Sequence, residues 1–146
     1  MPTYTVTTEI NRLTPRQKTR IAQDITRIHK SVTGAPVSFV QILFTDIDPA
    51  NHFVGGKPLQ HDFLFLQAQI RAGRTLEQKQ DLLFQLVQAL AEAAAAPQNA
   101  VWAYLHELPA NQMAEFGHTL PQPGTEDEWF NALPQEDRNL VDRIGR

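Results

Sequence analysis

The chain has 146 residues, 42% of them apolar and 20% charged, with no cysteine and a net charge of −3. That length suits one domain with a real core, and the weak negative charge argues against nucleic acid or an anionic membrane as partner. Without cysteine there are no disulfides, no thiolate nucleophile and no Cys-ligated zinc or iron–sulfur site, as suits a reducing cytoplasm. The polar, regularly patterned first thirty or so residues leave no room for a signal peptide. No apolar run approaches the ~18 residues that a membrane helix needs.

The chain opens Met1-Pro2-Thr3-Tyr4-Thr5-Val6. A small second residue predicts loss of the initiator methionine, which leaves Pro2 with a secondary α-amine. An ordinary α-amine titrates at about 7.7–8.0, so it can act as acid, base or nucleophile without a cofactor. Met-Pro is also simply a common beginning. Tyr4-Thr5-Val6-Thr7 is aromatic and β-branched and reads as a strand, which would pin Pro2 in place.

Next, Thr14-Pro15-Arg16-Gln17 is a capping box with proline at the first helical position. Ile21, Ile25, Ile28 and Val32 recur at helical spacing, Gly34 ends the helix, and Pro36 follows. Val37 to Phe44 is mostly apolar and predicts a strand buried on both faces. A loop runs through Gly55-Gly56 to about Asp62, and the pattern then repeats. Phe63 to Ile70 predicts a strand, Thr75 and Gln78 a second capping box, and Leu82, Leu83, Leu86, Val87 and Leu90 a helical stripe. Ala100 to Leu108 predicts another strand.

The fold class expected is therefore α/β (α+β): a tandem β-α-β repeat over about 2–45 and 63–108, with a tail at 109–146, all in one domain. Each intervening helix makes its two strands parallel, giving a four-stranded sheet with two helices on one face. Phe39, Gln41, Leu43, Phe63, Phe65, Trp102 and Tyr104 cannot all point at two helices. The tail has only short helical turns around Trp129-Phe130 and Leu140-Val141, too little to cover a sheet. A homo-oligomer with sheet faces turned inward is expected.

Arg71 and Arg74 flank Ala72-Gly73 after the third strand. Two guanidiniums on one turn suit capture of a carboxylate or phosphate; equally, Arg74 is a solvated residue beside the cap and Arg71 pairs with a neighbouring acid. None of the histidines, at 29, 52, 61, 106 and 118, falls in a zinc-binding spacing. His29 sits at the edge of the apolar stripe, where a satisfied boundary histidine is the usual explanation. Glu115, in Met113-Ala114-Glu115-Phe116, is an acid in apolar company, a setting that suits a base, or else a surface residue on a turn. Tyr104 alternates with Trp102 and is expected in the core. Gly55-Gly56 lacks the context of a phosphate-binding loop.

Together these features resemble the tautomerase superfamily, and within it the cis-3-chloroacrylic acid dehalogenase group. The matching stretches include Met1-Pro2-x-Tyr4, Arg12-Leu13-Thr14-Pro15, Ile25-Thr26-x-x-His29 and Phe53-x-Gly55-Gly56. They continue with Arg71-x-Gly73-Arg74, Val101-Trp102-x-Tyr104, Leu108-Pro109-Ala110-x-Gln112-Met113-x-Glu115-Phe116-Gly117 and Leu120-Pro121-Gln122-Pro123-Gly124. The resemblance implies a tautomerase-like fold, a cytoplasmic homotrimer, a small carboxylate substrate and no cofactor or metal. It implies that Pro2 delivers a proton to the α-carbon, and that Arg71, Arg74 and His29 hold the carboxylate. Glu115 with Tyr104 would activate water at the β-carbon. Phe116 stands where the dehalogenase has tyrosine, and the loop from Ala50 to Asp62 and the segment 34–37 also differ. The expected function is hydration-type dehalogenation of a cis-3-haloacrylate or a related acid. A keto–enol tautomerase of a phenylpyruvate-like acid is the alternative, and a non-enzymatic binding trimer a second one.

Overall fold

The computed structural model describes residues 2–145. β1 (Thr3–Glu9), α1 (Pro15–Thr33) and β2 (Gln41–Ile47) form the first half, followed by a small hairpin, β3 (Phe53–Val54) and β4 (Lys57–Pro58). The second half is β5 (Leu64–Arg71), α2 (Leu76–Ala94) and β6 (Val101–Leu108). The tail carries a hairpin of β7 (Ala114–Glu115) and β8 (His118–Thr119), then α3 (Glu126–Ala132) and α4 (Gln135–Gly145). The four long strands make one sheet in the order β2-β1-β5-β6, with both outer pairs parallel and the central pair, β1 and β5, antiparallel.

Both capping boxes form. The Thr14 hydroxyl accepts from the Gln17 N–H at 3.2 Å while the Gln17 side chain accepts from the Thr14 N–H at 3.0 Å. Thr75 and Gln78 repeat this at 3.1 and 3.0 Å. Gly34 closes α1, its N–H donating to Lys30 O at 2.9 Å. The helices bury one face of the sheet: Tyr4, Val6, Leu64, Leu66, Ala68 and Ile70 meet Ile21, Ile25, Ile28, Leu82, Leu86 and Leu90. Each large aliphatic side chain buried there contributes about 1.5–3 kcal/mol.

Several expectations need correction. Val37–Phe39 forms a short 3-10 turn rather than strand, and β2 begins only at Gln41. Nor is β2 buried on both faces. It is an edge strand with a single neighbour, exposing Gln41, Leu43 and Thr45 while Ile42 and Phe44 lean on the helices. Phe39 leaves the sheet and is buried with Phe130, Leu133 and Val141 of the tail, its ring edge-on to Trp129 at 6.3 Å. Phe63 is likewise buried, beneath His52 and Trp102. Tyr104 is not core: strand alternation puts it on the side away from the helices, 49% exposed, beside Trp102 at 39%, while Leu43 at 45% lies on the opposite edge strand. The tail helices are longer than the turns expected, yet they gather around Phe39 at one end of the sheet and leave its outer face open. Gly55 and Gly56 make the two-residue turn of the first small hairpin, with φ of 60° and 77° that an L side chain resists.

Candidate active site

Antiparallel pairing sets Thr3 of β1 opposite Gln69 of β5. The beginning of the chain therefore meets the end of β5, where Ile70 and Arg71 stand. Pro2 is buried, and its carbonyl accepts from the Gln41 N–H at 3.0 Å. This bond ties the residue to the start of β2. Removal of Met1 lies outside the described residues.

Around Pro2 is a cavity walled by His29 of α1, by Ala35, Pro36 and Phe39 of the link to β2, and by Ile70, Arg71 and Arg74. The tail closes it with Leu120, Pro121, Glu126 and Trp129. The cavity volume is about 30 Å³. One water needs roughly 10–15 Å³ on that scale, so a molecule of a few heavy atoms fits.

His29 is 2% exposed, and its Nδ1 lies 2.7 Å from the Tyr4 hydroxyl, itself 0% exposed. Burial, then the charges of Arg74, the amino terminus and Arg71, push the imidazole down to about 4. The ring is therefore neutral at neutral pH. Burial also raises the Tyr4 phenol above its ordinary value, with Arg74 opposing weakly, so Tyr4 stays a donor. If Nδ1 carried the proton, the buried phenolic hydrogen would have no acceptor. Tyr4 donating to Nδ1 satisfies both groups and puts the ring proton on Nε2, available to an anion in the cavity.

The arginine turn is held from behind. Ala72 N–H donates to Leu108 O at 2.8 Å, and the Glu107 carboxylate, held below its ordinary value by Lys79 and by the backbone of Gly73 and Arg74, meets Lys79 Nζ at 2.7 Å. Gly73 has φ of 113°, and a Cβ there would lie 3.1 Å from the Pro123 ring, so only glycine lets the tail seat itself here. Arg71 Nη1 donates to Pro121 O at 2.6 Å, and Nη2 to the Glu126 carboxylate. Among the described residues Arg74 donates no side-chain hydrogen bond. Burial, then the charge of Arg71, lower it from its ordinary value. The two readings of the pair are thus divided between its members: Arg71 is matched to an acid, and Arg74 offers its charge to the cavity.

Four of the six expected residues, Pro2, His29, Arg71 and Arg74, line the cavity together. Glu115 lies outside it, half-buried in β7 opposite His118, and Tyr104 stands on the open sheet face. Three contributors were not anticipated: Tyr4, Glu107 and Glu126. Tyr4 had a readable signal, since alternation puts residues 2 and 4 on one face of a strand. Glu126 had none, because only the folded tail brings it to Arg71. Among the described residues, no group of three His, Asp or Glu is placed to hold a metal ion. Nor is any helix among them long and apolar enough to cross a membrane.

A family model described as "Putative oxalocrotonate tautomerase enzyme" matches residues 1–133. A crystal structure of N1, a member of the cis-3-chloroacrylic acid dehalogenase family, is 33% identical with a TM-score of 0.90, covering 97% of this chain and 99% of that one. Native Ps01740 is 31% identical with a TM-score of 0.73, over 77% of this chain and 99% of that one. An asymmetric trimer of a fused 4-OT is 26% identical with a TM-score of 0.75, over 80% of this chain and 94% of that one. No match is found among curated proteins. The chain belongs to the tautomerase superfamily, and within it to the cis-3-chloroacrylic acid dehalogenase-like group. Members of that superfamily are typically enzymes.

Proposed function

We propose that this chain is a cofactor-independent enzyme that uses Pro2 as a terminal amine on a small unsaturated carboxylate, hydrating a cis-3-haloacrylate or a related acid. One observation carries the proposal: Pro2, His29, Arg71 and Arg74 line one cavity. Arg74 and the Nε2–H of His29 hold the carboxylate, with Arg71 beside them, and draw electron density from the β-carbon. Protonated Pro2 delivers a proton to the α-carbon while a water, activated by Glu115 with Tyr104, adds at the β-carbon. The single chain holds Glu115 and Tyr104 outside the cavity, and this step requires them to be brought to its mouth on assembly. The resulting halohydrin expels halide and a proton to leave an aldehyde acid. The likeness to a member of the cis-3-chloroacrylic acid dehalogenase family supports this reading.

A keto–enol tautomerase is the second reading, favoured by Glu115 and Tyr104 lying outside the cavity. Tautomerisation of a 2-oxo acid needs only Pro2 in its neutral form and the carboxylate-holding residues, and these line the cavity together. In either case we infer a homotrimer, since a fused 4-OT relative is a trimer and the neighbouring Trp102 and Tyr104 leave an apolar patch uncovered on the outer sheet face. Light scattering showing a monomer would refute that assembly.

The deciding experiment incubates protein with cis-3-chloroacrylate, and separately with an enolised 2-oxo acid, after mass spectrometry has established that Met1 is absent. Proton NMR follows the products. Pro2→Ala is expected to lower turnover about 10²–10⁴-fold. Loss of hydration with tautomerisation kept in Glu115→Gln supports the first reading, and efficient tautomerisation without hydration in the unaltered protein supports the second. Pro2→Ala without effect on any turnover would leave a binding protein.

A further inference from the structure

Two arginines offer a cavity two positive charges, and the tail already answers one of them. Glu126 is the first residue of α3, and its carboxylate reaches back over the cavity to Arg71 Nη2. Its second oxygen accepts from the Gly124 N–H at 2.8 Å, so both oxygens are engaged and the group is fixed. The other terminal nitrogen of Arg71 is bound to Pro121 O at 2.6 Å, and the side chain is only 10% exposed. Burial raises the Glu126 carboxyl, but the hydrogen bond from Arg71, the backbone N–H groups of Glu126 and Gly124 and the charge of Arg71 outweigh it and hold it below its ordinary value. It is ionised in the folded protein at neutral pH.

We propose that Glu126 is an internal carboxylate that takes up half of the arginine pair and restricts the site to acids bearing a single carboxylate, held by Arg74 and His29. The proposal rests on reading the cavity as a carboxylate site. With His29 neutral and Arg71 matched to Glu126, Arg74 is the one side-chain charge that the described residues leave in the cavity to hold a carboxylate. The charge of a protonated Pro2 amine is the one that the reaction spends at the α-carbon. A second carboxylate on the ligand would face Glu126 across a small cavity with largely apolar walls, where like charges repel strongly. Turned the other way it would meet Phe39, Leu120 and Trp129, which offer no side-chain charge. The same residue makes specificity depend on the tail: Pro123 seated on Gly73 and the Trp129 Nε1–H donating to Thr119 O at 2.9 Å hold the segment that carries Glu126.

The matched probes are cis-2-butenoate and maleate, which share a cis double bond and differ in a methyl against a second carboxylate. Isothermal titration of the whole protein, at a pH where maleate is a dianion, gives the ratio of their affinities. The unaltered protein is expected to favour cis-2-butenoate. In Glu126→Gln, which keeps the size and an acceptor for Arg71, the ratio should move toward maleate by about tenfold or more, the change worth one modest charge pair. Glu126→Asp should lie nearer the unaltered protein. A ratio that does not move in Glu126→Gln while both acids still bind overturns the proposal and leaves the carboxylate site standing. So does maleate binding the unaltered protein as tightly as cis-2-butenoate, a result that needs no variant. If neither acid binds the unaltered protein, the carboxylate site itself is refuted, and this inference with it.

Discussion

The Tyr4–His29 hydrogen bond is the contact in the site whose removal has the most readable consequences. Tyr4→Phe deletes one oxygen and little else. That oxygen is wholly buried, 2.7 Å from an imidazole nitrogen that is itself almost inaccessible to water. Without it, Nδ1 of His29 keeps its burial and loses its partner, which costs about 1–3 kcal/mol. For a chain of this length that lowers the melting temperature by roughly 3–10 °C, measured at one fixed protein concentration because assembly also shifts the transition. The second consequence concerns the ring proton. With Tyr4 donating to Nδ1 the proton resides on Nε2; in the variant both tautomers become accessible, and nitrogen-15 NMR of the ring distinguishes them. Weakening one charge-assisted contact by 1–2 kcal/mol would reduce carboxylate affinity about 5- to 30-fold. A variant that melts with the unaltered protein and keeps the same ring tautomer would refute the assignment. A lowered melting temperature with tautomer and affinity both unmoved would reduce Tyr4 to packing.

The depressed basicity of His29 predicts acid sensitivity with a definite sign. Its folded value of about 4 lies below the 6.5 of the free side chain, so between these the unfolded chain binds the extra proton. The stability tied to the neutral ring is complete above about pH 6.5 and is lost toward pH 4, at no more than about 1.4 kcal/mol per pH unit. Urea unfolding over that range should show a shallower slope in His29→Gln; parallel curves would contradict it. Arg12→Ala tests the opposite end of β1, where Arg12 meets both Asp62 oxygens at 2.6 Å and Ala94 O at 3.1 Å. The loss should be about 1–2 kcal/mol, since the pair is bidentate but partly solvated. Carboxylate affinity should not change, and an unaltered melting temperature would mean that this tie carries no stability.

Much of this protein was legible from local rules. Thr14 with Gln17 and Thr75 with Gln78 announce helix starts because a cap needs only residues three apart. The isoleucines of α1 and leucines of α2 announce buried stripes because a helix turns at a constant rate. Local rules failed where the partner is distant. The run Val37 to Phe44 looked like a buried strand, yet Phe39 found a better shelter against Phe130, Leu133 and Val141 and left the sheet. Tyr104 and Trp102 alternate like core residues, and whether such a face is inside depends on what covers the sheet, here not this chain's own tail.

The site divides in the same way. By itself the sequence determined the residue types: a proline in second position, two arginines across a glycine, and a histidine one turn beyond Ile25 on the apolar stripe. That they meet is a consequence of how the two halves dock. Each β-α-β half pairs strands across one crossover helix, but antiparallel docking of β1 on β5 is what carries Pro2 to Arg71, nearly seventy residues away in the chain. The tail then added Glu126, whose contact with Arg71 spans 55 residues. No local pattern records such an ion pair, because charge attracts through space and not along the chain.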